Sequence, residues 1–197
     1  MYAGIPPYLG CFTDANVTRM QNTRTPIFHS NPATGERIRW LLHADETGGE
    51  LVRFEMWTAP GGGVKGTHVH PHSTESFEVL SGDLILESGR DQRVVTPGAH
   101  ASVPAGTPHR WRNGGPHELH MIIELDRPGR FEDMIQASFA AGRAGRFDSR
   151  GRMKPLAAAA LVHRYSEEIQ PPWPRWLQRL VIPPLALAGR KAIPRTR

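Results

Sequence analysis

Between residues 51 and 125, apolar and polar side chains alternate in short runs separated by turn residues. Successive side chains of a strand point to opposite faces. Leu51 to Thr58 therefore offers either Val52, Phe54, Met56 and Thr58 or Leu51, Arg53, Glu55 and Trp57, and the first set is the natural interior. Glu75, Phe77 and Val79 share a face, as do His109, Trp111 and Asn113. Leu119, Met121, Ile123 and Leu125 form another apolar face, which sends His120 outward with Glu118 and Glu124. Turn clusters at Asn31-Pro32, Gly48-Gly49, Pro60 to Gly63, Ser81-Gly82, Ser88-Gly89, Pro97-Gly98, Pro104-Ala105-Gly106 and Asn113 to Pro116 punctuate these runs. Such regular spacing predicts an all-β sandwich or barrel over residues 25–126. Ser81-Gly82-Asp83 reads as a hairpin turn into Asp83 to Glu87.

The period changes beyond residue 126. Phe131 to Ala141 has a helical apolar face, Pro155 to Tyr165 begins with a proline suited to a first turn, and Pro174 to Leu180 is a third helix that Pro183-Pro184 should stop. Residues 127–197 thus read as a basic helical extension joined internally by the Arg- and Gly-rich stretch Gly142 to Gly151. Residues 1–24 have no period and read as an arm.

Charge sharpens that division. Residues 1–138 hold 12 Lys+Arg and 16 Asp+Glu, whereas residues 139–197 hold 12 Lys+Arg and only Asp148, Glu167 and Glu168. A basic tail can signal nucleic acid or anionic lipid, but no nucleic-acid-binding motif accompanies it, so none is expected. Trp173, Trp176, Leu177, Leu180, Val181 and Ile182 beside Arg175 and Arg179 could lie in a membrane interface. The same pattern could pack on the barrel or a second subunit, and packing is the expectation because the prolines cut the segment short. Hydrophobic content of 39% in 197 residues supports one sizeable core. A single cysteine, Cys11, gives no internal disulfide, and neither a leader pattern nor a long apolar run is visible, so a cytoplasmic protein is expected.

Candidate chemistry lies in two glycine-framed blocks. The first runs Gly62, His68-Val69-His70, Glu75, Gly82; the second runs Gly98, Pro104-Ala105-Gly106, His109, Asn113. His68 and His70, two apart, can present imidazoles side by side, and Glu75 heads an apolar face, where a carboxylate needs a partner. His72 competes for a place in the set, but Pro71 interrupts the alternation and its spacing to Glu75 does not fit. Both blocks resemble, position for position, the two signature motifs of the cupin superfamily, over about residues 50–125. The resemblance implies a double-stranded β-helix, or jelly-roll, barrel with one divalent metal on His68, His70, Glu75 and His109, and often a homodimer. Neutral imidazoles and a carboxylate suit Fe(II), Mn(II), Ni(II) or Zn(II).

Phe54, Met56, Phe77, Val79 and Trp111 would then form an apolar pocket for a small, possibly aromatic, substrate. Glu75 is the only inward acid suited to proton transfer, hence the candidate catalytic group. The reading is a metal-dependent enzyme resembling quercetinase-like cupins, a dioxygenase foremost. A metal-dependent isomerase, cyclase or lyase, or a non-catalytic binding cupin, is the alternative.

Overall fold

A computed structural model describes residues 27–193. The arm assigned to residues 1–24, with Cys11, lies outside the described residues. The strands are β1 (Phe28–Asn31), β2 (Glu36–Leu42), β3 (Leu51–Thr58), β4 (Gly63–His68), β5 (Glu75–Ser81), β6 (Leu84–Ser88), β7 (Asp91–Val95), β8 (His100–Val103), β9 (His109–Asn113) and β10 (Leu119–Asp126). They form a six-stranded sheet, β1-β2-β3-β10-β5-β8, and a four-stranded sheet, β4-β9-β6-β7, with antiparallel pairing throughout. Three helices follow: α1 (Phe131–Arg143), α2 (Pro155–Arg164) and α3 (Arg175–Ala188). The architecture is the jelly roll that the cupin resemblance implies, with the helical extension that the change of period predicts.

The inward faces are those the alternation assigns. On β10, Met121 lies opposite Met56 of β3 and Val79 of β5, and Ile123 lies opposite Phe54 and Phe77. All six side chains are buried in one core with Leu84, Leu86 and Trp111 of the other sheet. Truncating a residue such as Ile123 to alanine there costs about 2–5 kcal/mol.

Two expectations are corrected. The Ser81-Gly82-Asp83 turn does not close a hairpin: β5 pairs with β8 and β10, β6 with β7 and β9, so the chain crosses between sheets at this point. Gly82 has φ +79°, and a Cβ would stand 2.8 Å from the Glu118 carbonyl oxygen and the Leu119 Cα, so the crossing needs both the left-handed backbone and the missing side chain. The hairpin is instead β6–β7, where Ser88 pairs with Asp91 across Gly89-Arg90.

The second correction concerns α3, which runs through Pro183 and Pro184 to Ala188. Each proline removes an amide donor from the helix. Packing on α2 holds the helix past that loss: Ile182 and Ala186 are buried, as are Ala157, Ala160 and Leu161 of α2. At Gly189 a Cβ would fall 2.2 Å from the Leu156 carbonyl oxygen, so the end of α3 touches the start of α2 backbone to backbone. Among the described residues, no helix is long and apolar enough to cross a membrane.

Candidate metal centre

Strand pairing brings the two sequence blocks together. His68 ends β4 and His109 begins β9, and the two residues are paired across the sheet. His70 lies just past β4, and Glu75 opens β5. The ring centroids of His68 and His109 are 4.3 Å apart, those of His68 and His70 5.0 Å, and those of His70 and His109 5.4 Å. One ligand-type atom from each of His68, His70, Glu75 and His109 lies within 4.8 Å of the others, and all four residues are buried.

Each imidazole is oriented from behind. His68 Nδ1 faces the Gly66 carbonyl at 3.1 Å, His70 Nδ1 the Glu168 carbonyl at 2.6 Å and His109 Nδ1 the Thr107 carbonyl at 2.9 Å. A carbonyl only accepts, so each Nδ1 must donate, and in the neutral ring Nε2 is left with a free lone pair. The Glu75 carboxylate meets these lone pairs: Oε2 is 2.8 Å from His109 Nε2 and 3.7 Å from His70 Nε2. Lone pairs facing a carboxylate repel unless a proton or a cation lies among them. Backbone-oriented imidazoles converging on a carboxylate are what a divalent metal requires, so the residues present fit such an ion.

The electrostatics agree with a proton held in that place. Burial lowers the His68 pKa to about 3, helped by the neighbouring His70 and His109 and opposed by Glu75 and the Gly66 carbonyl. Burial also lowers His70, against the Glu75 charge and the Glu168 carbonyl. For His109, burial acts downward but is outweighed by the bond to Glu75, its charge and the Thr107 carbonyl, so the pKa rises. Burial pushes Glu75 up, and the His109 bond together with the three imidazoles more than reverses it, holding the carboxyl below its ordinary value.

The other candidates fall elsewhere. His72 is exposed and pairs with Glu167 at 3.0 Å, away from the cluster. His120 stacks on Trp57, with centroids 4.5 Å apart and Nε2 3.3 Å from the Glu55 carboxylate, on the outward face of its sheet. Phe54, Met56, Phe77, Val79 and Trp111 are all buried. Phe77 and Trp111 meet edge to face at 6.5 Å, and Phe54 approaches the cluster through Phe131, whose ring lies 6.0 Å from Phe54 and 5.7 Å from His70.

The helical extension contributes what the motifs do not. Val69, between the two first-block histidines, exchanges two 2.9 Å backbone hydrogen bonds with Gln170. Glu168 gives its carbonyl to His70, while its buried carboxylate accepts the Arg130 amide at 2.9 Å. Arg130 in turn lies 4.8 Å over the Tyr165 ring. A sequence has no mark for Glu168, because the group that matters is a backbone carbonyl that every residue type possesses.

Comparison with known proteins adds a family match. The model of the family described as Cupin domain matches residues 54–123. Quercetin 2,3-dioxygenase of Bacillus subtilis (strain 168) is 28% identical over 78 residues, 40% of this chain and 23% of that protein. Oxalate oxidase 1 of Hordeum vulgare is 28% identical over 120 residues, 57% of each chain. The chain thus spans less than two thirds of either relative. An RmlC-like cupin from Shewanella frigidimarina NCIMB 400 superposes with a TM-score of 0.46 and 19% identity, covering 55% of this chain and 89% of that one.

Proposed function

From the premise that residues 54–123 form a cupin domain of the cupin superfamily, we propose that the protein is a mononuclear metal-dependent enzyme acting on a small organic substrate, with dioxygenation as its reaction. The observation that carries the proposal is the convergence of His68, His70, Glu75 and His109, each imidazole held by a backbone carbonyl. These four residues would hold one divalent ion, iron, manganese, nickel or zinc, through the three Nε2 atoms and the Glu75 carboxylate. Bound there, the ion would supply Lewis acidity toward a substrate oxygen and, as iron, manganese or nickel, access to oxygen chemistry.

The protein's own groups do the rest. The Nδ1 hydrogen bonds fix the tautomer and aim of the imidazoles, while burial favours the neutral form of His68 and His70, so little reorganisation accompanies loading. Glu75 is the acid placed to take or return a substrate proton, being buried and within 2.8 Å of His109 Nε2. Phe54, Met56, Phe77, Val79 and Trp111 are proposed as the apolar wall that favours an aromatic or otherwise hydrophobic substrate and keeps water away. The names of the two relatives, a dioxygenase and an oxidase, support oxidative chemistry. Assembly as a homodimer in the cytoplasm belongs to the same proposal.

The test is elemental analysis of the purified protein, followed by oxygen consumption with a panel of phenolic and enolic substrates. Bound iron, manganese or nickel with substrate-dependent oxygen uptake is expected. Turnover that proceeds equally without oxygen would replace this reading with isomerase, cyclase or lyase chemistry, and metal-dependent binding without turnover would leave a binding cupin.

A further inference from the structure

The helix α3 uses only one side against α2. A separate flank of the helix carries Trp176, Leu180, Pro183 and Leu187, which recur every three or four residues and so stand in one stripe. Trp176 and Leu180 are each 67% exposed and Leu187 is 66% exposed, and Trp173 extends the stripe at the amino-terminal end. An exposed row of large apolar groups on one helix is unusual enough on a soluble surface to require an occupant. The expectation that this segment packs on the barrel or on a second subunit is met within the chain by Ile182, which is buried, and by the half-buried Leu177 and Val181, but not by Trp176 and Leu180. Its argument from Pro183-Pro184 cutting the segment short does not hold, because the helix continues past them.

Charge names that occupant. Arg175 and Arg179 are exposed beside the stripe, and an open depression at the far end is lined by Pro184, Leu187, Ala188, Arg190 and Lys191. From residue 169 to the end of the chain there is no acidic side chain. A second copy docking on the same face would set like-charged arginines against each other, because a twofold interface meets itself. An anionic bilayer answers both features: the tryptophans and leucines enter the headgroup and acyl boundary while the cations meet lipid phosphates.

We propose that α3 is a membrane-surface anchor that docks the protein in plane on anionic phospholipid through Trp173, Trp176, Leu180 and Leu187, with Arg175, Arg179, Arg190 and Lys191 on the headgroups. The helix lies on the membrane and does not span it.

The experiment is co-sedimentation of the full chain with vesicles of phosphatidylcholine alone and of phosphatidylcholine mixed with phosphatidylglycerol, at low and high salt. Binding to the mixed vesicles only, weakened by salt, is expected. The double variant Trp176→Ser/Leu180→Ser should abolish binding without lowering the thermal midpoint, since both side chains are exposed. Arg175→Ser/Arg179→Ser should weaken it about thirtyfold, the sum for two basic residues at an anionic surface. This second pair keeps the apolar stripe and so tests the charge separately. No binding to mixed vesicles at low salt would overturn the proposal. Equal binding to both vesicle types would also overturn it. So would a dimer in sedimentation velocity that Trp176→Ser/Leu180→Ser dissociates, which would assign the face to a second copy.

Discussion

Replacing Gln170 by proline tests whether the helical extension helps to build the metal centre. Gln170 and Val69 exchange two 2.9 Å hydrogen bonds, and the substitution removes the Gln170 donor while leaving its carbonyl. One such bond contributes about 0.5–1.5 kcal/mol net, which for a domain of this size lowers the thermal midpoint by roughly 2–4 °C per kcal/mol. The larger effect belongs to the metal. Two residues before Gln170, the Glu168 carbonyl receives His70 Nδ1–H at 2.6 Å, and loosening the segment frees the imidazole to rotate. Removing an orienting partner of a metal-bound histidine typically weakens affinity about 10- to 100-fold, or about 1.4–2.7 kcal/mol.

The assay is competition for zinc against a chromophoric chelator, starting from stripped protein, beside thermal melts without metal. Gln170→Ala is the control: it keeps the amide and loses only the side-chain bond to the Ser166 carbonyl, so its zinc affinity should stay within about threefold of the parent, well short of that positioning effect. A proline variant whose melting point falls as expected while its zinc affinity equals the parent's would refute the reasoning, since the segment would then brace the fold without positioning His70.

Further outcomes follow from the same geometry. His109→Ala, and His68→Ala with His70→Ala, should leave a folded β domain that no longer retains stoichiometric metal by elemental analysis, whereas His72→Ala should retain it. Burial raises the pKa of Glu36, against the Thr34 hydroxyl at 2.9 Å and the charge of Lys65, so folding disfavours the charged form. That cost is absent below the unfolded carboxyl range, about 4.3, and grows as pH rises through the higher folded value. Glu36→Gln should therefore melt above the parent at pH 7 and lose the advantage near pH 4, and a gain that does not vary with pH would count against this account. Sedimentation at micromolar concentrations should show the proposed homodimer, joined away from α3.

What the sequence made legible follows from the range of each signal. Period-two alternation is local, so the inward faces of β3, β5, β9 and β10 could be read directly, whereas His68, His70, Glu75 and His109 stood out as a set through the two glycine-framed blocks that resemble the cupin motifs. A turn motif announces a change of direction without naming the sheet that receives the next strand, and Gly82 therefore looked like a hairpin where the chain crosses between sheets. Pro183 and Pro184 forecast the end of α3 by their intrinsic cost, yet the alanine-rich surface of α2 supplies packing that propensity does not contain. The pairing of Val69 with Gln170 joins segments far apart in the chain through backbone atoms alone. No side-chain pattern encodes it, and it is this contact that makes the extension part of the site: the strand segment carrying His68 and His70 is bounded on one side by the conventional partner β9 and on the other by Gln170. A change anywhere in the tail that shifts Tyr165 to Gln170 should accordingly register first at His70, and only afterwards at the rest of the barrel.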